Sequence, residues 1–241
     1  MSPEAFERAT TYPYRIPEQS FIYRNGDEHP LGGGDELPSL DGRTPVLAVG
    51  SNQSPDQLAR KFQGAHWGEI PVIRCELDEF DSVFSPHIAS YGAIAATLQH
   101  APGVSVTLFV TWLTPPQLER MHETEISSAN YGYGRLNSVR MKCELGPALN
   151  SVHIYNSRRG TLCHNEEPIP VAEIPAQNRS WKAMSQLDVQ DHVCRRLAPE
   201  HDLQTFIRSS IDDQDLRFER SESLKTGARV FDHPGFTEIS I

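Results

Sequence analysis

The stretch that most constrains the fold of this chain is Pro45-Val46-Leu47-Ala48-Val49-Gly50-Ser51-Asn52, followed at once by Ser54-Pro55-Asp56-Gln57. A short apolar run reads as a buried strand, and Gly50 lets the backbone turn sharply as it leaves the sheet. Ser54 reads as an N-cap, Pro55 as the first helical residue and Gln57 as the reciprocal capping-box partner. The product is a Gly-Ser-Asn loop between a strand end and a helix start. Unpaired backbone N–H groups and the positive helix end suit an anionic or carbonyl group there. The competing reading is a structural turn, because Gly and Ser are common in tight strand-to-helix connections.

Thr114-Pro115-Pro116-Gln117 repeats the helix-start pattern, and Leu118, Met121 and Glu125 follow at i, i+3 and i+7. Those three side chains share one helical face. A carboxylate thus sits on the stripe expected to point inward, while Glu119 and Glu123 point to solvent. An apolar surround raises a carboxylate's pKa and suits it to general acid/base work near neutral pH. The competing reading is a Glu at a frayed helix end, paired with an arginine such as Arg135 or Arg140.

With these two segments in place, the chain resembles the gamma-glutamylcyclotransferase-like family. Val49-Gly50-Ser51-Asn52 matches the family's strand ending in Tyr-Gly-Ser-Asn, and Gly92-Ala93-Ile94-Ala95-Ala96-Thr97-Leu98 its Gly-x-x-x-Ala-x-(Leu/Ile) segment. Pro102 to Trp112 matches the following strand, Met121-His122-Glu123-Thr124-Glu125 the short helix that ends in the family's Glu, and Tyr133-Gly134-Arg135 the turn into another strand. The ordered succession runs from near Thr44 to near Ile174. Three departures stand out: Val49 replaces the usual aromatic, His122 the usual Asp, and Ile126 a Gly that often follows the Glu.

The resemblance implies a small barrel and an enzyme that cleaves a γ-glutamyl amide by intramolecular attack. The substrate's α-amine attacks its own γ-carbonyl, giving 5-oxoproline and a free amine or amino acid. It implies Glu125 as the catalytic acid/base and Gly50, Ser51 and Asn52 as substrate contacts, with no metal or organic cofactor. Tyr133 is the expected pocket wall, since its ring can pack while its hydroxyl bonds a ligand; the alternative is that it only covers the barrel end. Two other functions remain open: a non-catalytic small-molecule binding protein on the same fold, and an amide hydrolase using Glu125 to activate water.

Composition narrows the partners. A formal net charge of −10 argues against nucleic acid and against an anionic membrane surface. No apolar stretch approaches the roughly 18 residues of a membrane span, and the N-terminus lacks the basic flank and apolar core of a secretory signal. Cys75, Cys143, Cys163 and Cys194 form no Cys-x-x-Cys pair and read as reduced thiols of a cytoplasmic protein. Cys163-His164 has no second pair at ligand spacing, so no zinc site is expected. Gly32-Gly33-Gly34 follows no strand and reads as linker rather than phosphate cradle.

The expected architecture is α+β: a small mixed, closed or nearly closed β-barrel with short helices outside. Residues 1–43 are an N-terminal extension packing irregularly after a short helix at 3–9, 44–177 the barrel domain, and 178–241 a mainly helical C-terminal extension. Strands are expected at 45–49, 70–77, 92–98, 104–113, 136–143 and 151–156, with helices at 55–62 and 115–125. Apolar residues on both faces of Val104 to Leu113 mark that strand as central. The C-terminal part offers a helical cover or a homodimer contact.

Overall fold

The computed structural model describes residues 1–32, 34–126 and 130–241; Gly33, within the expected glycine linker, lies outside them. In chain order the elements are α1 (Pro3–Thr10), β1 (Phe21–Arg24), β2 (Asp27–Pro30), β3 (Thr44–Ala48), α2 (Pro55–Lys61), β4 (Glu69–Ile88), β5 (Ile94–Leu113) and α3 (Pro115–Glu125). They continue with β6 (Tyr131–Cys143), β7 (Leu149–Ser157), β8 (Cys163–His164), β9 (Glu167–Pro168), β10 (Ala176–Gln177), α4 (Gln186–Leu197), α5 (Leu203–Asp212), α6 (Gln214–Lys225) and β11 (Phe236–Glu238).

Five strands close a barrel in the order β5-β3-β7-β6-β4, with β4 pairing back to β5. All pairs in the ring are antiparallel except β3 with β7, where Val46 and Leu47 lie beside His153 and Ile154. The alternation along each strand assigns its faces. Leu47, Ile73, Leu108 and Val110 belong to one buried cluster, whereas Val46, Ala48, Val72 and Phe109 belong to a second with Leu58 of α2 and Met121 of α3. Both faces are therefore covered, and the sheet reads as near-continuous apolar runs. The fold is the α+β barrel with external helices that the sequence predicts.

The strand limits differ from expectation in two regions: β6 begins at Tyr131 rather than at 136, so Tyr133-Gly134-Arg135 lies within the strand and not in a turn before it, and β4 and β5 are longer than expected. Strands expected at 92–98 and 104–113 form one 20-residue strand, β5, paired along most of its length with the 20-residue β4. Two register shifts, between Asp78 and Phe80 and between Phe84 and Ile88, bend the pair. Glu79 adopts a φ of 69° at the first of them. Such bulges let long strands follow barrel curvature and then run on past the barrel.

The flanking segments are also more ordered than the sequence suggests. β1 and β2 form a hairpin that adds to the barrel sheet along β4, with Phe21 and Tyr23 buried. The charged run from Asp212 to Arg220 lies mostly in α6, whose start is capped by Asp213 Oδ1 accepting from Leu216 N–H at 2.9 Å. β11 pairs with β6, supplying the added C-terminal strand.

Candidate active site

The loop after β3 and the end of α3 meet. Ser51 to Gln53 make a single 3-10 turn, closed by Gln53 N–H donating to Gly50 O at 3.2 Å and Ser54 N–H to Ser51 O at 2.9 Å. Asn52 Nδ2 donates to Glu125 Oε1 at 3.0 Å across 73 positions of sequence. The Lys61 ammonium, from the last turn of α2, bonds the same carboxylate oxygen. Lys61 is 6% exposed and Glu125 18%, and Met121 Sδ lies 3.4 Å from Lys61 Nζ. Asn52 Oδ1 is buried without a hydrogen-bond partner.

That space is a cavity of about 560 Å³, lined among others by Gly50, Ser51, Asn52, Lys61 and Glu125. Its volume is typical of small-molecule sites.

The helix start differs from expectation. Ser54 has N-cap backbone angles but makes no side-chain cap bond, and its hydroxyl is buried without a partner. Gln57 lines the cavity instead of closing a capping box. At α3 the expected grammar is present, with Thr114 N–H donating to Gln117 Oε1 at 2.8 Å.

Glu125 does not pair with either arginine proposed from sequence. Arg135 donates to Ser151 Oγ at 2.9 Å, and Arg140 faces Asp78 and Glu79. Its protonation also departs from the sequence argument. Burial pushes the carboxyl pKa up, but the Lys61 charge and the hydrogen bonds from Lys61 and Asn52 more than offset this and hold it below 4.5. Glu125 is thus a buried carboxylate kept ionised by a buried cation.

Tyr133 is 5% exposed and does not line the cavity. It lies edge-on to His122 with ring centroids 4.6 Å apart and stacks on His153 at 5.1 Å. Tyr131, two residues earlier on the same face of β6, lines the cavity in its place and donates to Ala96 O at 2.8 Å. Tyr155 lines it too, its hydroxyl 2.7 Å from His122 Nδ1. His122, the departure from the family's Asp, therefore reaches the cavity only through Tyr155.

Three further groups escaped the sequence reading. Tyr12, from the N-terminal segment, lies against Gly50, where a Cβ would sit 2.0 Å from its hydroxyl oxygen. That oxygen accepts from Ala96 N–H at 2.8 Å, and the Ser51 backbone N–H also faces it. Burial pushes the Tyr12 pKa up, so the phenol keeps its proton and has it to donate. Lys61 lies three residues after the buried Leu58, on the same face of α2, and a charge at that spacing was its only sequence signal. Gln214, Arg217, Phe218 and Ser221 of α6 carried none.

No family model matches the chain, and no curated protein matches it. Among the solved structures that resemble it at low similarity are the following three. A gamma-glutamyl cyclotransferase is 16% identical with a TM-score of 0.39, over 80% of this chain and 92% of that one. An uncharacterized protein from Homo sapiens is 15% identical with a TM-score of 0.41, over 81% and 93%. A protein from Arabidopsis thaliana is 17% identical with a TM-score of 0.37, over 53% and 74%.

Proposed function

We propose that the cavity is the active site of a γ-glutamyl amide cyclotransferase. The observation that carries the reading is the Glu125 carboxylate, held ionised by Lys61 and tied by Asn52 to the Gly-Ser-Asn loop at the cavity wall. In this reading the substrate's α-ammonium seats beside Glu125, next to the Gly-Ser-Asn loop. Glu125 takes a proton from that nitrogen, which then attacks the γ-carbonyl carbon. The C–N bond to the amine half breaks, and the protons shed by the attacking nitrogen end on the leaving nitrogen. The Tyr12 hydroxyl, already accepting from backbone N–H groups, donates to the oxyanion that forms. Because nucleophile and electrophile share one molecule, holding the substrate folded supplies much of the rate.

The Lys61 pairing favours a second reading, a binding protein that holds a γ-glutamyl compound without turning it over, since the base is already occupied by a cation. A hydrolase remains the third. The products separate the three: 5-oxoproline for cyclisation, glutamate for hydrolysis, and neither for binding alone. Among the described residues no helix is long and apolar enough to cross a membrane. All four cysteines are free thiols, which supports placing this activity in the cytoplasm.

A further inference from the structure

Two cysteines meet on the seam where β4 joins β6. Cys75 and Cys143, far apart in sequence, stand directly opposite each other in the antiparallel register, followed by Glu76 with Lys142 and Leu77 with Met141. One step along the same register, Glu144 N–H donates to Arg74 O at 2.8 Å. That bond makes Arg74 and Glu144 a hydrogen-bonded pair. The alternation of an antiparallel ladder then makes Cys75 and Cys143 a non-hydrogen-bonded one. Residues so placed have side chains on one face and Cα atoms about 4.5 Å apart, within the roughly 4.4–6.8 Å that a disulfide spans.

Both side chains belong to one apolar face. Cys75 is part of the buried cluster with Ile73, Leu77 and Leu108, and Cys143 packs against that cluster while staying half-buried. The two also line a small cavity of about 140 Å³, together with Arg74, Glu76, Lys142 and Glu144. A water molecule needs about a tenth of that space, so a peroxide has room beside the thiols. Burial pushes the Cys143 thiol up to about 11 and raises that of Cys75 as well, with the nearby Cys143 charge adding to it. Protonated thiols react slowly, so the pair stays reduced until oxidant accumulates.

The seam that the pair spans is short. β4 pairs with β6 only from Cys75 to Leu77, whereas it pairs with β5 from Val72 to Ile88. A covalent bond between Cys75 and Cys143 would therefore hold the barrel closed where few ladder bonds do so. Neither thiol lines the larger cavity, whose walls reach from the Gly-Ser-Asn loop to Gln214, Arg217, Phe218 and Ser221 of α6. The pair thus stands apart from the cyclotransferase reading.

We propose that Cys75 and Cys143 are a peroxide-oxidised dithiol whose reversible disulfide staples β4 to β6. The Cys143 thiolate, the more open of the two, attacks one oxygen of hydrogen peroxide and the O–O bond breaks. Cys143 becomes a sulfenic acid, and the other oxygen leaves as hydroxide and takes up the thiol's proton as water. The Cys75 sulfur then attacks the Cys143 sulfur. The S–O bond breaks, the S–S bond forms, and the hydroxyl leaves with the Cys75 proton as a second water. Two thiols are oxidised and one peroxide is reduced. A small-molecule thiol reopens the bond by exchange.

The test treats the reduced protein with hydrogen peroxide at a dose that fully oxidises free glutathione, then alkylates it in denaturant and maps it by mass spectrometry without reductant. The expected result is loss of two of the four free thiols, a mass lower by two hydrogens, and a peptide joining Cys75 to Cys143. Dithiothreitol is expected to reverse all three. The oxidised protein is expected to melt about 5 °C or more above the reduced one, the scale of a disulfide that closes a long loop. Cys75→Ser is expected to stop at a Cys143 sulfenic acid that dimedone traps. Four surviving thiols in the wild-type protein, or a link between any other two cysteines, overturn the proposal. So does a protein that carries the Cys75–Cys143 link and melts no higher than its reduced form. The wild-type map decides even where the variant does not fold.

Discussion

At the scale of single residues the site turns on how Lys61 and Glu125 share a buried oxygen. Glu125 was legible from its spacing with Leu118 and Met121, but its ionisation was not, because the cation arrives from a helix more than 60 positions earlier in the chain. The pair gives Glu125 a folded-state pKa below its ordinary value. Its contribution to stability is therefore present above about pH 4.5 and lost as pH falls through the folded value. Replacing Lys61 by Met removes the charge and leaves burial, the largest influence, opposed chiefly by the Asn52 hydrogen bond. In Lys61→Met the carboxyl should titrate above its wild-type value, and the acid limb of the pH–rate profile should move to higher pH. Carbon-13 NMR of the glutamate side chains reads the titration directly. An unshifted Glu125 signal would mean that Lys61 does not set its charge.

At the scale of elements, the Gly-Ser-Asn loop depends on contact with a segment that sequence reading set aside. The strand-loop-helix unit was legible because its apolar run, its Gly and its Ser-Pro are all local signals. The closeness of Tyr12 was not, since residues 1–43 show no periodicity to fix where they pack. For the same reason the sequence points to Tyr133 although Tyr131 lines the cavity: two residues apart on one strand, both face one way, and sequence does not show which reaches the cavity. At Gly50 a side chain meets a steric obstacle. In Gly50→Ala the new methyl would overlap the Tyr12 hydroxyl and press on Ala96 Cβ at 3.1 Å. Overpacking of this kind costs about 1–3 kcal/mol of stability. Displacing Tyr12 should also weaken binding of a γ-glutamyl ligand by about tenfold, the scale of one lost hydrogen bond. Thermal denaturation and calorimetry check the two effects, and a variant with wild-type melting and affinity would show that Tyr12 is not seated on the loop.

At the scale of the whole molecule, the closed barrel was legible from the number of strands and the apolar character of both faces of β5. The join of α6 to the site was not, because a helix of low amphipathicity leaves little trace of what it covers. The molecule also carries a pH dependence separate from Glu125. Burial pushes the pKa of His87 down to about 4, and burial likewise lowers those of His122, His153, His192 and His233. Between pH 6.5 and 4 the unfolded chain binds protons at these sites that the folded chain does not, so stability rises with pH across that window. His87 alone accounts for a loss of about 3 kcal/mol as pH falls from 6.5 to 4. Denaturant titrations at pH 7 and pH 5 should show the lower stability at pH 5, with a smaller difference in His87→Gln. Equal stability at both pH values would contradict the buried, neutral state of His87.

The central claim, that Glu125 drives an intramolecular cyclisation, is tested most directly by following a γ-glutamyl compound in water enriched in oxygen-18. Cyclisation joins the substrate's own nitrogen to its own carbonyl carbon and takes no atom from water. The account predicts unlabelled 5-oxoproline from the wild-type protein and at least about 10²-fold less from folded Glu125→Gln. Labelled glutamate as the product, or undiminished 5-oxoproline from Glu125→Gln, would contradict it.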